Sequence, residues 1–446
     1  MQLSGHRLWY AMCLIGIVWI LGFYSELTVA QTVDAERAER IREQMGATGR
    51  KMVNEADLVT LRQDLNKAIT AIVSRINTLE KDMVEMKSRI RVLETRTAPA
   101  GAMLSDPVSP ASTSAAQKTG AVKMNVSMCA SGCDAEKFAY AVAMLNDGGT
   151  LTVKPGVYFD CIIIKKSMKL IGEIAPDGSR AHLKKIACSG KSAIDLQAPN
   201  VEIHGLQISE ITVPDENGAC IRIGPTTKTL LIRDIICLDS ENGLLGAPNN
   251  EDGILTIEDS TFSGHGKNGQ AHGLYINGGS QAILRNVTIL SSDNGHLLKT
   301  GAKSMLVENS VIAALGGNSG AAVNAYAGGK LTIRNSVLQL STNTQNHNFI
   351  YYANEPGRIV PGGAHEILIE KNWIIFDDPA RCCRWLFGNG TNILDTVIIQ
   401  DNKFVGSITS NYESVNMADN KAFADRAEAG LQEYDGMLAS LPKPGS

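Results

Sequence analysis

The most regular pattern of apolar positions lies in the first hundred residues and follows a heptad. The apolar residues alternate there at spacings of three and four, whereas the other helical faces are almost wholly polar. The seam consists of Ile69, Ile72, Ile76, Leu79, Met83, Met86, Ile90 and Leu93, and it extends back through Leu65 and Leu58. So narrow a stripe favours an identical partner helix, with a helix packed on its own domain as the alternative. We predict a coiled-coil stalk over residues 31–96 that forms a dimer or a trimer through residues 58–93.

A second pattern recurs about every 25 residues in the C-terminal two thirds of the chain. In each unit, apolar and polar residues alternate, reach an Asp or Asn, and then resume the alternation. These turn positions are Asp234, Asp259, Asn286, Asn309, Asn335, Asn372 and Asn402. The pattern predicts a strand, a tight turn and another strand. Because one such unit cannot bury its apolar face alone, we predict a solenoid of parallel strands over residues 125–410, with the Asn side chains stacked in a ladder.

The opening of this solenoid carries a resemblance to a known superfamily. Residues 148–172 read GGTLTVKPGVYFDCIIIKKSMKLIG and follow a short amphipathic stretch, 135–145, that we expect to form a helix capping the apolar cylinder. Together with the repeat, this segment resembles the first coil of right-handed parallel β-helix proteins, which include pectate lyases, alginate lyases and mannuronate epimerases. The resemblance implies an all-β, right-handed parallel β-helix. It leaves the chemistry open, because one fold hosts many sites.

The N-terminus predicts export from the cytoplasm. Residues 8–24 form a run of 17 residues without a charge, which is just long enough to cross a bilayer. We predict a membrane anchor within residues 1–30, with a secretory signal cleaved near Ala30 as the alternative. The expected location is therefore the inner membrane, as a single-pass protein with its bulk in the periplasm. A cleaved N-terminus implies a secreted protein instead.

Composition and spacing predict the structure of the linker and of the C-terminal segment. Residues 97–124 are rich in Ala, Ser, Thr and Pro and nearly free of charge, so we predict a flexible linker. Residues 411–446 show a helix-like spacing of apolar residues. We expect a helical tail there, which covers the last coil or packs along the side of the solenoid.

Charge and composition exclude several classes of protein. Basic and acidic side chains number 42 and 46, for a net charge of −4, and no basic stripe interleaved with aromatic residues occurs. Nucleic acid is therefore not an expected partner. Hydrophobic residues at 44% and charged residues at 20% are near globular averages, which excludes a wholly disordered chain.

Eight of the nine cysteines lie in the predicted exported part, where disulfides are possible. Cys129 and Cys133 are close enough to pair across a turn, and residues 382 and 383 are adjacent cysteines. Neither pair has zinc-ligand spacing with histidines. Four others lie in strand-like runs and are expected to be small buried thiols. These are Cys161, Cys188, Cys220 and Cys237.

Placing successive coils in register concentrates polar and aromatic side chains on one flat face. The residues expected to share it are Tyr275, Lys299, Asn324 and Tyr351, with Arg222 two coils earlier and Tyr326 nearby. His272 and His296 begin consecutive strands at matching positions, and His347 follows two coils later. A solvated strand surface, ladder histidines and a loop position for His347 are the structural alternatives.

The resemblance implies that an extended polysaccharide lies across this face. Proton abstraction beside a sugar carboxylate needs a base, a proton donor for the leaving oxygen, and a cation for the developing charge. Lys299, His272, His296 and Tyr275 are the candidate catalytic residues. The substrate-binding candidates are Arg222, Asn324, Tyr326 and Tyr351. We predict no cofactor and no metal site; calcium is conceivable but unsupported, because no acidic pair recurs in register.

The sequence therefore favours an envelope protein that binds an acidic polysaccharide and acts on it as a lyase or an epimerase. A non-catalytic glycan-binding or scaffold protein is the alternative. A phage-like depolymerase adhesin is a third class, against which the long apolar N-terminus argues. The sugar, the linkage and the reaction are not determined by the sequence.

Overall fold

The computed structural model describes residues 122–249, 251–346, 348–359, 363–378, 384–389, 393–409 and 419–446. Within them the chain winds through three parallel sheets in succession, one strand per sheet in each turn, for about 10 turns. This arrangement is a parallel β-helix, so the fold expected from the repeat and from the resemblance is confirmed. Strands are numbered β1 to β32 in chain order.

The first sheet has 11 strands and begins at the N-terminal end of the β-helix. In sheet order, its strands are β1 (Lys123–Met128), β2 (Leu145–Val153), β5 (Met168–Gly172), β8 (Asn200–His204), β11 (Thr229–Arg233), β14 (Ile254–Glu258), β17 (Gln281–Arg285), β20 (Ser304–Glu308), β23 (Lys330–Arg334), β26 (Glu366–Glu370) and β29 (Thr396–Gln400).

The second sheet has 10 strands and carries the residues singled out by their register. Its strands are β4 (Ile162–Ile164), β7 (Ser192–Leu196), β10 (Ala219–Ile223), β13 (Asn242–Gly246), β16 (Leu274–Ile276), β19 (Leu298–Thr300), β22 (Val323–Ala325), β25 (Asn348–Tyr352), β28 (Arg384–Asn389) and β31 (Ile408–Thr409).

The third sheet has 11 strands and completes each turn. Its strands are β3 (Gly156–Tyr158), β6 (Ala181–Lys184), β9 (Leu206–Ser209), β12 (Ile236–Leu238), β15 (Thr261–His265), β18 (Thr288–Ser292), β21 (Val311–Ala313), β24 (Val337–Ser341), β27 (Trp373–Asp377), β30 (Lys403–Val405) and β32 (Lys421–Phe423).

One α-helix, α1 (Phe138–Met144), packs at the N-terminal end of the cylinder. Its Phe138 and Ala141 are fully buried and join the core, as the predicted cap requires. The core itself follows the alternation of the strands: in β14, Leu255 and Ile257 point inward and are fully buried. Burying each such side chain stabilises the fold by about 1.5–3 kcal/mol.

Several predicted elements lie outside the described residues. They are the membrane anchor in residues 8–24, the stalk in residues 31–96, most of the linker, His347, and the cysteines at positions 382 and 383. Within the stretches described, no helix has the length and apolar character needed to cross a membrane.

The turns that follow the first-sheet strands adopt left-handed backbone, as predicted, in five of the seven repeats. Positive φ angles occur at Asp234, Asp259, Asn286, Asn309 and Asn335. In the last two repeats the left-handed residue is instead Lys371 or Asp401, one position before the expected Asn. The predicted register of those two turns was therefore wrong by one residue.

The predicted ladder of turn asparagines is confirmed in the last two repeats, where Asn372 and Asn402 are buried and hydrogen-bonded to each other. It was wrong for Asn286 and Asn309, whose side chains are exposed. In five of the turns the residue after the left-handed position is buried and accepts a hydrogen bond from a backbone N–H one coil earlier. The members of this buried ladder are Ser260, Ser310, Ser336, Asn372 and Asn402. A hydroxyl or amide oxygen can take this place because it satisfies a buried backbone donor.

Charges of opposite sign alternate along the outer face of the first sheet. The last residues of five consecutive strands are Arg233, Glu258, Arg285, Glu308 and Arg334, and the strand pairing places each beside the next. Each neighbouring pair has an ion pair of 3.5 Å or less. We refer to this row as the charge ladder. Each exposed pair contributes only about 0–1 kcal/mol, so its main effect is on register.

Three disulfides are present in the described residues. Cys129 pairs with Cys133, as the spacing allowed. The expectation of free buried thiols at the other four positions was wrong, because Cys161 pairs with Cys188 and Cys220 pairs with Cys237. Cys220 lies in β10 and Cys237 in β12, so this bond crosses the interior of one coil.

The C-terminal segment packs on the third sheet but is not an α-helix. Residues 419–446 contain β32 and a 3-10 helix, Leu438–Ser440. Phe423 stacks on Trp373, and the Arg426 guanidinium pairs with the buried Asp377 carboxylate. The segment was expected to cover the last coil or to pack along the side of the β-helix, and it does both, because β32 extends the sheet beyond β30 while Phe423 and Arg426 pack against β27. The helical form is not confirmed, because β32 continues the sheet in place of a helical turn.

Candidate functional site

The second sheet brings the predicted polar residues into one register. Tyr275 pairs with Lys299, Lys299 with Asn324, and Asn324 with Tyr351. In each of these strands the neighbouring residues on either side point into the core. Arg222 belongs to the same row, but Leu245 lies between it and Tyr275. Arg222 is therefore set apart from the cluster by one apolar position.

Lys299 lies against two tyrosine rings. Its Nζ is 5.0 Å from the ring centre of Tyr275 and 5.2 Å from that of Tyr326, which is the distance range of a cation–π contact. The Tyr326 hydroxyl donates to the backbone oxygen of Asn277 at 3.1 Å, and burial raises the pKa of Tyr326. Gly301 makes room for this tyrosine, since an added Cβ would lie 2.3 Å from its hydroxyl oxygen.

A loop that the sequence pattern did not single out completes the cluster. It follows β25 and contains Glu355 and a short 3-10 helix, Pro356–Arg358. The Glu355 carboxylate is 2.9 Å from Lys299 Nζ, and the Arg358 guanidinium donates to the Tyr275 hydroxyl at 3.0 Å. Loop residues have no period, so strand alternation gave no indication of this contribution.

His272 and His296 stack on each other and act as a ladder between coils. Their ring centres are 5.3 Å apart and their planes differ by 23°. Nδ1 of His272 accepts from the backbone N–H of His296, and Nδ1 of His296 accepts from that of Ala321. Burial, reinforced by the charge of Lys299, lowers the pKa of His296 to about 4. Burial, with His296 and Lys299 nearby, lowers that of His272 to about 2.

The histidine ladder also orients Asn324, which is buried. Because Nδ1 of His296 accepts a hydrogen bond from the backbone N–H of Ala321, the neutral ring carries its own proton on Nε2. The Asn324 amide lies 3.0 Å from Nε2, and its Oδ1 has no hydrogen-bond partner. An amide turned so that Oδ1 faces Nε2 satisfies both groups. Asn324 and both histidines are therefore positioned as supports, which does not favour the histidines as proton carriers.

The open space beside this cluster is a pocket of about 480 Å³ at the edge of the second sheet. Two exposed cations, Lys303 and Arg358, and two tyrosines contribute to its wall. The lining residues are Tyr275, Asn277, Gly278, Gly279, Gly301, Lys303, Tyr326, Ala327, Arg358 and Ile359. Of the predicted site residues, Tyr275 and Tyr326 line it, Lys299 touches both rings, and Tyr351 lies on the far side of His296.

No group of three or more His, Cys, Asp or Glu residues is arranged to hold a metal ion in the part of the chain that the structure describes.

Comparison with known proteins finds similarity at the level of the fold. No protein-family profile and no curated protein matches this chain. Pectate lyase Pel9A is 15% identical with a TM-score of 0.40, over 69% of this chain and 80% of its own. Pectin methylesterase PemA from Erwinia chrysanthemi is 12% identical with a TM-score of 0.35, over 72% of this chain and 99% of its own. A pectin methylesterase in complex with a hexasaccharide is 13% identical, with the same TM-score and coverage. At such low values the likeness carries no argument about function, and the fold is assigned from strand pairing.

Proposed function

We propose that this β-helix binds an acidic polysaccharide in the pocket beside Tyr275 and Tyr326. The observation that carries the proposal is the joint presence on one wall of the partly exposed Tyr275 and two exposed cations, Lys303 and Arg358, beside the largely buried Tyr326. Aromatic rings pack on the apolar faces of sugars, and cations pair with their carboxylates. The pocket opens at the edge of a flat sheet, where a long chain can pass without threading.

Binding is tested by removing the cations one at a time. Lys303→Ala and Arg358→Gln are expected to weaken binding of polygalacturonate or alginate about tenfold each, since a charge-assisted contact is worth about 1–3 kcal/mol. Lys169→Ala is the matched control, because Lys169 is an exposed lysine on β5 in the first sheet. Unchanged affinity in both pocket variants, measured by calorimetry, contradicts the proposal.

A second candidate function is proton abstraction from the bound sugar, as in a lyase or an epimerase. The Tyr275 hydroxyl favours it, because it lies on the pocket wall and accepts a hydrogen bond from Arg358. Tyr275→Phe is expected to remove product formation while retaining binding. The readouts are the absorbance of unsaturated chain ends and the chain length. If the wild-type protein binds the polysaccharide but forms no product, its function is that of a non-catalytic scaffold.

We also propose that the protein works outside the cytoplasm, attached to the inner membrane and self-associated. Disulfides persist in oxidising compartments, and the three disulfides support this location. The membrane and oligomer proposals rest on residues 8–24 and 58–93 of the sequence.

A further inference from the structure

Glu355 places a carboxylate between two cations at the proposed glycan site. One oxygen, Oε1, is 2.9 Å from Lys299 Nζ, and the other, Oε2, is 3.4 Å from Arg358 Nε. Tyr275 contacts both cations, since its ring faces Lys299 and its hydroxyl accepts from Arg358. A planar anion with two oxygens is therefore bound by Arg358, which lines the pocket, and by Lys299, which contacts the two tyrosine rings of the pocket wall.

The two sides of this ion pair differ in how they are held. Lys299 is in the middle of β19, its side chain is only 15% exposed, and its ammonium is enclosed by the rings of Tyr275 and Tyr326. Glu355 is in the loop after β25, and its side chain is 30% exposed. The cation is thus fixed by the sheet, whereas its anionic partner is supplied by a loop on the solvent side.

A poorly hydrated cation needs an anion nearby at all times, because removing a charge from water without a partner is costly. Any carboxylate with access to Lys299 satisfies this need. The exchange of one carboxylate for another conserves the charge at Lys299, and the displaced Glu355 returns to water. Uncharged sugars cannot make this exchange.

We propose that Lys299 and Arg358 form a carboxylate subsite for a uronic-acid residue, and that Glu355 occupies it until a uronate displaces it. This inference rests on the proposed function, and it names uronates as the ligand class and Glu355 as an internal competitor. It also assigns Lys299 to charge recognition in place of the base role expected from the sequence. A ligand that must displace a bound group loses affinity by the strength of that group's own contacts.

The test replaces Glu355 by its uncharged analogue. Glu355→Gln is expected to bind an oligogalacturonate at least about tenfold more tightly than the wild type, as measured by calorimetry. A carboxyl-reduced, neutral form of the same oligosaccharide is expected to bind both proteins equally. Glu366→Gln is the matched control, because Glu366 also pairs with a lysine, Lys330, at 3.1 Å on the first sheet. It is expected to leave both affinities unchanged.

Two further variants separate competition from simple positioning. Glu355→Ala is expected to tighten binding in the same direction, and Lys299→Met added to Glu355→Gln is expected to abolish the gain. If Glu355 merely holds Lys299 and Arg358 in place, both Glu355 variants bind oligogalacturonate more weakly or equally, and the inference is overturned while the glycan site stands. If neither the wild type nor any Glu355 variant binds, the proposed function fails with it.

Discussion

Buried histidines keep their neutral form in this protein because their surroundings oppose a second proton. Each stacked ring uses Nδ1 as an acceptor for a backbone N–H, and burial disfavours the charged imidazolium. A third ring, His265, is fully buried, and burial lowers its pKa to about 4 although hydrogen bonds to the backbone oxygens of Ser240 and Cys237 favour the charged form. Histidines are common catalytic residues, but these three affect the pH dependence of folding.

The first prediction concerns the pH dependence of stability. The folded-state pKa values of His265, His272 and His296 are depressed below 6.5, so the unfolded chain binds more protons as the pH falls. The stability they contribute is complete above about pH 6.5 and is lost below it. Between pH 7.5 and 5.5 the free energy of unfolding is expected to fall by about 1 kcal/mol per histidine. Urea titrations at the two pH values measure this.

The matched comparison for this pH effect uses glutamine at two positions. His272→Gln combined with His296→Gln is expected to reduce the loss between the two pH values by about two thirds, since one buried histidine remains. If the double variant loses as much unfolding free energy between the two pH values as the wild type does, the histidine ladder does not take up protons on unfolding.

At the level of whole strands and turns, the buried ladder is the element with the strictest hydrogen-bonding requirement. Asn402 is 1% exposed, accepts from the backbone of Asn372, and donates to the backbone oxygen of Ile369. Asn309 lies one residue before a ladder position, and there its side chain is exposed and its φ is 50°. The two asparagines therefore contribute through different physics, namely hydrogen bonding in one case and backbone conformation in the other.

The second prediction separates these two roles. Asn402→Ala is expected to cost about 1–3 kcal/mol of unfolding free energy, because it leaves buried backbone groups without partners. Asn309→Gly is expected to change it by less than about 0.5 kcal/mol, because glycine tolerates the same left-handed backbone. Thermal melting of the two variants gives the comparison. Equal losses contradict the assignment of the ladder.

The third prediction concerns the disulfide inside one coil. Cys220 and Cys237 enclose a loop of 17 residues, so replacing both by alanine is expected to cost about 3 kcal/mol. Replacing Cys129 and Cys133, only 4 residues apart, is expected to cost clearly less. Denaturation under oxidising conditions compares the two double variants. A larger loss from the short loop speaks against the chain-entropy account.

The sequence was sufficient for the strands of the site but not for its loop. The register of Tyr275, Lys299 and Asn324 was predicted correctly because each sits between two inward-facing residues, although Asn324 is buried and not solvent-facing as expected. Glu355 and Arg358 were missed because an insertion breaks the repeat there, and its only trace is the long spacing of 37 residues between Asn335 and Asn372. In the earlier repeats the ladder was misplaced by one residue because alternation does not say which turn residue is buried, whereas Asn372 and Asn402 were predicted correctly.

On the scale of the whole molecule, the fourth prediction concerns assembly. A chain that begins at Thr32 retains the heptad seam of residues 58–93 and is expected to self-associate, whereas a chain that begins at Val122 is expected to be monomeric. Sedimentation equilibrium measures both masses. A trimer points to the influence of Ile72 at a d position. If both chains sediment as monomers, the predicted stalk is contradicted.

The charge ladder limits how a β-helix of this kind can change length. Removing the single coil 259–285 brings Glu258 beside Glu308, so two carboxylates face each other across neighbouring strands. Removing the two coils 259–308 brings Glu258 beside Arg334, and attraction is preserved. Like charges directly opposite each other destabilise strand pairing. Through this stretch, deletion of a single coil is therefore expected to destabilise the β-helix more than deletion of two coils.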